Sequence, residues 1–407
     1  MAISEAPAPP ATRLPSRFRE AEARGARLGR PLRLLAGIGP EIDEQLMARL
    51  GAALLERDEP GAALAHAIRT RAVTQPQLRA ALRGDLDDAP PALQTFMAAV
   101  RDVPPWVDWA LIDRGARLLQ RMGPNAHDVL EQLSLVGGYR FGGPTDLLVA
   151  TGGLTGSRTR RRLAETQHWT IALSEPGALR PGGEGWRLTV HVRAMHALVN
   201  ASFEPKWDID RWGLPINQFD QTGTLGLFSG TLLIACRALG MPIPAADAHA
   251  FMHLWRYVGW LMGVHPDLLT DDEREGHRIN YHILLAAPAL STAGPLLSRA
   301  IYDAIATRRF AGWPDGLQWV RGRFEQERFL SMLTGFVGLS GMRDLELPVR
   351  LPWALAYVVP LNVARYRIAD RLPGGTRRRE AWGRAFSRRL VASYFGGEQA
   401  GVGALPD

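Results

Sequence analysis

The amino-acid sequence predicts an all-α fold in a single large domain. Apolar residues recur at i, i+3, i+4 and i+7 along most of the 407 residues, which is the period of one helical face. Gly and Pro punctuate these segments, as at Gly123-Pro124, Gly142-Gly143-Pro144, Gly240-Met241-Pro242 and Pro373-Gly374-Gly375. No alternating run of β-branched residues recurs at strand spacing, so only short strands remain open.

In chain order the periodic segments cover 42–57, 60–72, 75–84, 91–101, 105–121, 125–136, 157–174, 187–203, 215–239, 244–264, 295–308, 315–336, 352–370 and 377–394. Residues 1–20 and 396–407 read as tails around a helical body at 21–395, whose motif-bearing core covers about 125–300. No linker is long or polar enough to demand a domain boundary. No internal repeat of roughly 20–50 residues is visible.

Composition excludes several classes. With 46 % hydrophobic and 22 % charged residues, the chain can bury a sizeable core, which rules out wholesale disorder. A single cysteine, Cys236, rules out an internal disulfide framework and any site built from several thiolates. The formal charge is +7, and Lys206 is the sole lysine among 48 basic residues, so 47 are arginine. A P-loop or Schiff-base lysine would have to be Lys206, and Phe203-Glu204-Pro205-Lys206-Trp207 fits neither. The clusters Arg158-Thr159-Arg160-Arg161-Arg162 and Arg377-Arg378-Arg379 are short and separate, so nucleic acid is not an expected partner. The longest apolar stretches, Leu225 to Cys236, Val258 to Val264 and Trp353 to Val363, fall short of the roughly 20 residues of a membrane span. The first residues lack an apolar run, so a cytoplasmic protein is expected, or a secreted one if a signal has been removed.

Most catalytic motifs are missing: there is no Walker A, no Gly-x-Ser-x-Gly, no His-Glu-x-x-His and no Cys-x-x-Cys-His. His249 and His253 have metal spacing on a helix, but carboxylate support is thin and a structural pair is favoured. His277 and His282 are polar-flanked and read as lying in a loop or at a helix edge.

Two segments stand out. In Arg161 to Thr170, helical phase puts Arg162, Glu165, Thr166 and Trp169 on one face. Such a face is unusual for a core, and its bland alternative is a solvated stripe with an Arg–Glu pair. In Leu188 to Val199, His196 lies among Val192, Met195 and Val199. A lone histidine on an apolar face is more often a satisfied core residue, yet an apolar-lined imidazole is also the setting of an axial haem ligand.

These residues carry a resemblance. Arg162-Leu163-Ala164-Glu165-Thr166, Val192 to Val199, Trp212 to Asp220, Phe228-Ser229, Ala238 to Pro242 and Trp255 to Val264 together resemble the latex clearing protein (rubber oxygenase) family and related haem-dependent oxygenases. The resemblance implies a globin-like helical core with additional N- and C-terminal helices and one non-covalent haem b. It implies that His196 is the axial iron ligand, with Arg162 and Thr166 on the distal side and Arg193 also against the cofactor. A family acid proposed as a base lies sixteen residues before the arginine, which here is Asp146. Some members carry a lysine one residue before the threonine, able to cap the iron; here that residue is Glu165. A lysine cap is therefore not available there, an open or water-bound distal side is expected, and Glu165 is a second candidate base.

The implied activity is a dioxygenase that uses O2 to cleave carbon–carbon double bonds of polyisoprene or a related isoprenoid or unsaturated apolar substrate to carbonyl products. The Glu165 departure and the lack of a visible export signal favour a smaller substrate. Alternatives are a biosynthetic haem peroxygenase or monooxygenase, and a non-catalytic haem- or lipid-binding protein. A monomer is expected.

Overall fold

The computed structural model describes residues 13–152, 157–287, 289–310, 312–369 and 371–395. Nineteen α-helices succeed one another among them: α1 (Glu22–Ala36), α2 (Glu44–Ala53), α3 (Glu59–Arg69), α4 (Gln75–Arg83), α5 (Pro91–Arg101), α6 (Trp109–Met122), α7 (Pro124–Asp128), α8 (Pro144–Ala150), α9 (Ser157–Ser174), α10 (Glu184–Phe203), α11 (Ile209–Trp212), α12 (Gln218–Phe228), α13 (Gly230–Ala238), α14 (Ala245–Leu261), α15 (Glu273–Leu285), α16 (Gly294–Ala306), α17 (Gln318–Asp344), α18 (Trp353–Ala369) and α19 (Gly375–Phe395). A π-helix, Val129–Val136, directly continues α7. The only β feature among the described residues is an isolated bridge between Phe141 and Leu290. The fold is all-α, as the periodicity predicts.

Local chemistry fixes the ends. Asp43 accepts from Leu46 N, Asp108 from Ala110 N and Asp272 from Glu275 N, each relieving an orphan donor of the first turn. Thr74 and Gln77 form a reciprocal capping box at α4. Segments 91–101 and 157–174 coincide with α5 and α9.

Other expectations change for physical reasons. Segment 215–239 is two helices, because Ser229 leaves helical geometry at φ −101° and ψ −99°. The break lets α15 approach: Asn280 Nδ2 donates to Gly226 O at 3.3 Å, and a Cβ on Gly226 would stand 1.8 Å from Asn280. Hydrophobic period cannot register such a close approach. His277 and His282, expected in a loop or at a helix edge, lie buried on α15. Segment 315–336 ends at a break in α17, where Gly338 takes φ +68°, a left-handed value that a side chain resists. Residues 13–20 are not a tail, because Arg17 is 1 % exposed and its guanidinium grips Asp220 at 2.6 Å. Residues 1–12 and 396–407 lie outside the described residues.

The largest hydrophobic cluster joins α6, α10 and α14 and contains the buried Trp186, Trp255 and Tyr257. A second joins the π-helix, α16 and α17, and a third lies under α2, α12 and α15. Helix α10 thus runs through the middle of the molecule, with α9 beside it.

Candidate active site

The site begins on α10. Arg193, Ala194, Ala197 and Leu198 are buried, whereas Val192, Met195, His196 and Val199 keep partial accessibility. Helical phase puts those four on one side, so α10 turns a half-open apolar face outward from an otherwise buried helix. His196 is the only ionisable group in that set. Its Nδ1 is buried and has no hydrogen-bond partner. Burial pushes the imidazole down to about 4; the negative charge of Asp58 resists this and the positive charge of Arg162 adds to it. The ring is therefore neutral at pH 7, with an uncommitted lone pair among apolar walls, which suits it to ligate a metal ion.

Helix α9 faces this surface. Arg162 is exposed, and its Nη1 lies 3.8 Å from Met195 Sδ, bridging the two helices. Thr166 is exposed and its hydroxyl donates to Arg162 O at 3.2 Å. Glu165, between them in sequence, is only 6 % exposed. Its carboxylate accepts from Arg161 Nε at 3.2 Å and Arg162 Nη1 at 3.5 Å, so the buried group has cationic partners on its own helix. One turn on, Trp169 Nε1 donates to Thr189 Oγ1 at 3.0 Å, tying α9 to α10. Its ring packs edge-on against Phe228 and Trp255. The structure thus brings Arg162 against Met195, the residue before His196, with Glu165 and Thr166 beside Arg162 on α9.

Two other expected residues have different surroundings. Arg193 donates bidentately to Asp58 at 2.6 and 2.7 Å and stacks over Phe96, so its guanidinium is committed to the N-cap of α3 and to α5 rather than to the α9 face. Asp146 caps α8: its Oδ2 accepts from Gly143 N at 2.9 Å and its Oδ1 from the Ser291 hydroxyl at 2.9 Å. Neither hydrogen bond reaches α9. Asp146→Ala is expected to lower stability by about 1 kcal/mol through loss of this cap. Chemical denaturation checks this, and an unchanged midpoint would exclude the capping role.

The sequence did not point to a polar network behind α9. Glu131, in the π-helix, is ion-paired with Arg308 and accepts from Tyr394 Oη at 2.8 Å. His127 Nε2 lies 3.4 Å from Glu131, and Gln167 Nε2 lies 3.2 Å from His127 Nδ1. Gln167 is the neighbour of Thr166, so the network anchors the exposed end of the site. The available signal was a Glu-Gln pair inside an otherwise apolar helical segment. The His249–His253 pair is structural: His253 Nε2 accepts from Asp108 N at 3.0 Å and its Nδ1 lies 3.1 Å from Asp271. Among the described residues no three His, Cys, Asp or Glu side chains converge as a metal cage.

Residues 130–392 match the family described as ER-bound oxygenase mpaB/B'/rubber oxygenase, catalytic domain. The chain is similar to the rubber oxygenase of Streptomyces sp. (strain K30), with 26 % identity over 270 residues, 65 % of each chain. The match therefore spans less than two thirds of that relative's length. Its fold resembles that of latex clearing protein LCP in the closed state, with a TM-score of 0.66 at 19 % identity, covering 92 % of this chain and 97 % of the other.

Proposed function

The chain belongs to the family of ER-bound oxygenase mpaB/B' and rubber oxygenase catalytic domains, and from that membership we propose that it is a haem b-dependent dioxygenase cleaving carbon–carbon double bonds of polyisoprene or a related isoprenoid. The observation that carries the reading is His196, a neutral imidazole with an orphaned buried nitrogen on a half-open apolar face opposite Arg162 and Thr166. Those features would suit His196 to hold a haem iron through its imidazole nitrogen. Haem, when bound, supplies an iron centre that binds and activates O2.

The chain's own residues do the rest. His196 would hold the iron, and Val192, Met195 and Val199 would wall the ring. Arg162 directs positive charge at the same space, where it stabilises negative charge developing on oxygen. Glu165 is the better-placed proton acceptor, because it lies on α9 beside Arg162, whereas Asp146 is engaged with Gly143 and Ser291 at the start of α8. The Trp169–Phe228–Trp255 cluster offers an apolar, aromatic lining for an unsaturated hydrocarbon.

The test is direct. The purified protein should show the Soret band of haem b at about one per chain, with a matching pyridine haemochrome. With 18O2 and an oligoisoprene, both product carbonyls should carry label; label in only one would overturn the dioxygenase mode. A colourless protein that cannot be reconstituted would overturn the haem reading itself. The placement of Glu165 has its own check. Glu165→Lys should convert the visible and EPR spectra toward a six-coordinate low-spin form, and an unchanged spectrum would remove Glu165 from the iron's neighbourhood.

A further inference from the structure

Helix α18 is apolar on both sides. Its inner side, Ala354, Val358, Asn362 and Tyr366, is buried against the main core. Its outer side carries Trp353, Tyr357, Leu361 and Ile368, all exposed. No charged residue occurs from Leu351 to Ala364. A helix without a charge over its first three turns, Trp353 to Ala364, belongs in a core or at a lipid boundary, and the outer side of this one is not in the core. The stripe continues onto α17 and its approach. Trp353 packs on Phe324 with ring centroids 5.9 Å apart, and Arg321 bridges Phe324 and Trp313. Leu351 is 82 % exposed and Trp319 71 %, so the apolar patch extends beyond α18.

Charge identifies what covers this face. The arginines beside α17 are answered within the protein: Arg323 and Arg350 both pair with Glu327, and Arg321 pairs with Glu325. Those at the far end of the stripe are not. Arg367, Arg371, Arg377 and Arg378 are exposed and make no ion pair with any described residue. An apolar, Trp- and Tyr-bearing strip that ends in unanswered arginines matches the layering of an anionic bilayer: acyl boundary, interfacial aromatics, phosphate. A neutral hydrocarbon surface would leave the arginines without counterions. No helix among the described residues is long and apolar enough to cross a membrane, so the contact is peripheral. We propose that the outer face of α17 and α18 seats the protein on the surface of an anionic phospholipid bilayer. Nothing in this proposal depends on haem or on the reaction.

The experiment is vesicle flotation with the full chain. Wild type should float with phosphatidylcholine vesicles containing phosphatidylglycerol, less with phosphatidylcholine alone, and less as salt rises. Leu361→Glu with Ile368→Glu should weaken binding at least about tenfold, because both side chains leave the apolar layer. Arg371→Glu with Arg378→Glu should abolish the preference for anionic vesicles. All four positions are exposed, so thermal melts should match wild type and separate lost docking from lost folding. Wild type that stays unbound, that binds both vesicle types equally, or that binds as well with the α18 variants overturns the proposal. A concentration-dependent dimer in sedimentation velocity, dissolved by Leu361→Glu with Ile368→Glu, would overturn it in favour of a second copy.

Discussion

His196→Ala is expected to purify with at most about a tenth of the haem found in wild type, a loss on the scale of removing a principal ligand. The expectation is sharp because this imidazole makes no hydrogen bond that the fold would miss: its buried Nδ1 has no partner. Far-ultraviolet circular dichroism should therefore be unchanged while the Soret band disappears. The pH dependence gives a second readout. The folded imidazole titrates at about 4 against 6.5 for a free histidine, because burial disfavours its charge. Between those values the unfolded chain binds the extra proton, so stability of the haem-free protein is full above pH 6.5 and is lost as pH falls toward 4. His196→Ala should flatten that part of the acid-unfolding curve. Haem retained by the variant at wild-type stoichiometry would place the ligand elsewhere.

The two central helices were legible because their information is local. The i, i+3, i+4 rule places Arg162, Glu165 and Thr166 on one face and surrounds His196 with valine and methionine, and α9 and α10 form over both segments. The same rule does not say which members of a face are covered. Glu165 is buried while Arg162 and Thr166 are exposed, a distinction set by the helices packed against α9. Arg193 and Asp146 show the other limit. What each side chain engages depends on partners far away in sequence, Asp58 for one and Ser291 for the other. The break at Ser229 was hidden likewise, because the close approach it allows, Asn280 of α15 to Gly226, joins residues far apart in sequence. The network around Glu131 joins residues 127, 131, 167, 308 and 394, which no window of sequence spans.

That network carries the second large effect. Arg308→Met should lower stability by about 3–5 kcal/mol, because it leaves the Glu131 carboxylate buried without its cation. For a helical domain of this size the loss amounts to roughly 5 °C in Tm. Burial alone would push the Glu131 carboxyl up; in the intact protein Arg308, His127 and Tyr394 together hold it well below the ordinary range. The stabilisation is thus present above the ordinary carboxylate value of 4.5 and is lost as pH falls below it. The variant reverses the sign. Without Arg308, burial dominates and the folded carboxyl rises above 4.5, so the variant gains on wild type as pH drops. Chemical denaturation at pH 8 and pH 5 should show a large gap at the first and a smaller one at the second. Adding Glu131→Gln should restore most of the loss at pH 8, since the amide leaves no uncompensated charge. An equal gap at both pH values would mean that Arg308 acts through packing on Tyr394, whose ring it covers at 4.4 Å, rather than through charge. Because Gln167 contacts His127 and adjoins Thr166, the variant should also loosen α9, and protease cleavage within 161–170 should accelerate with the loss of stability.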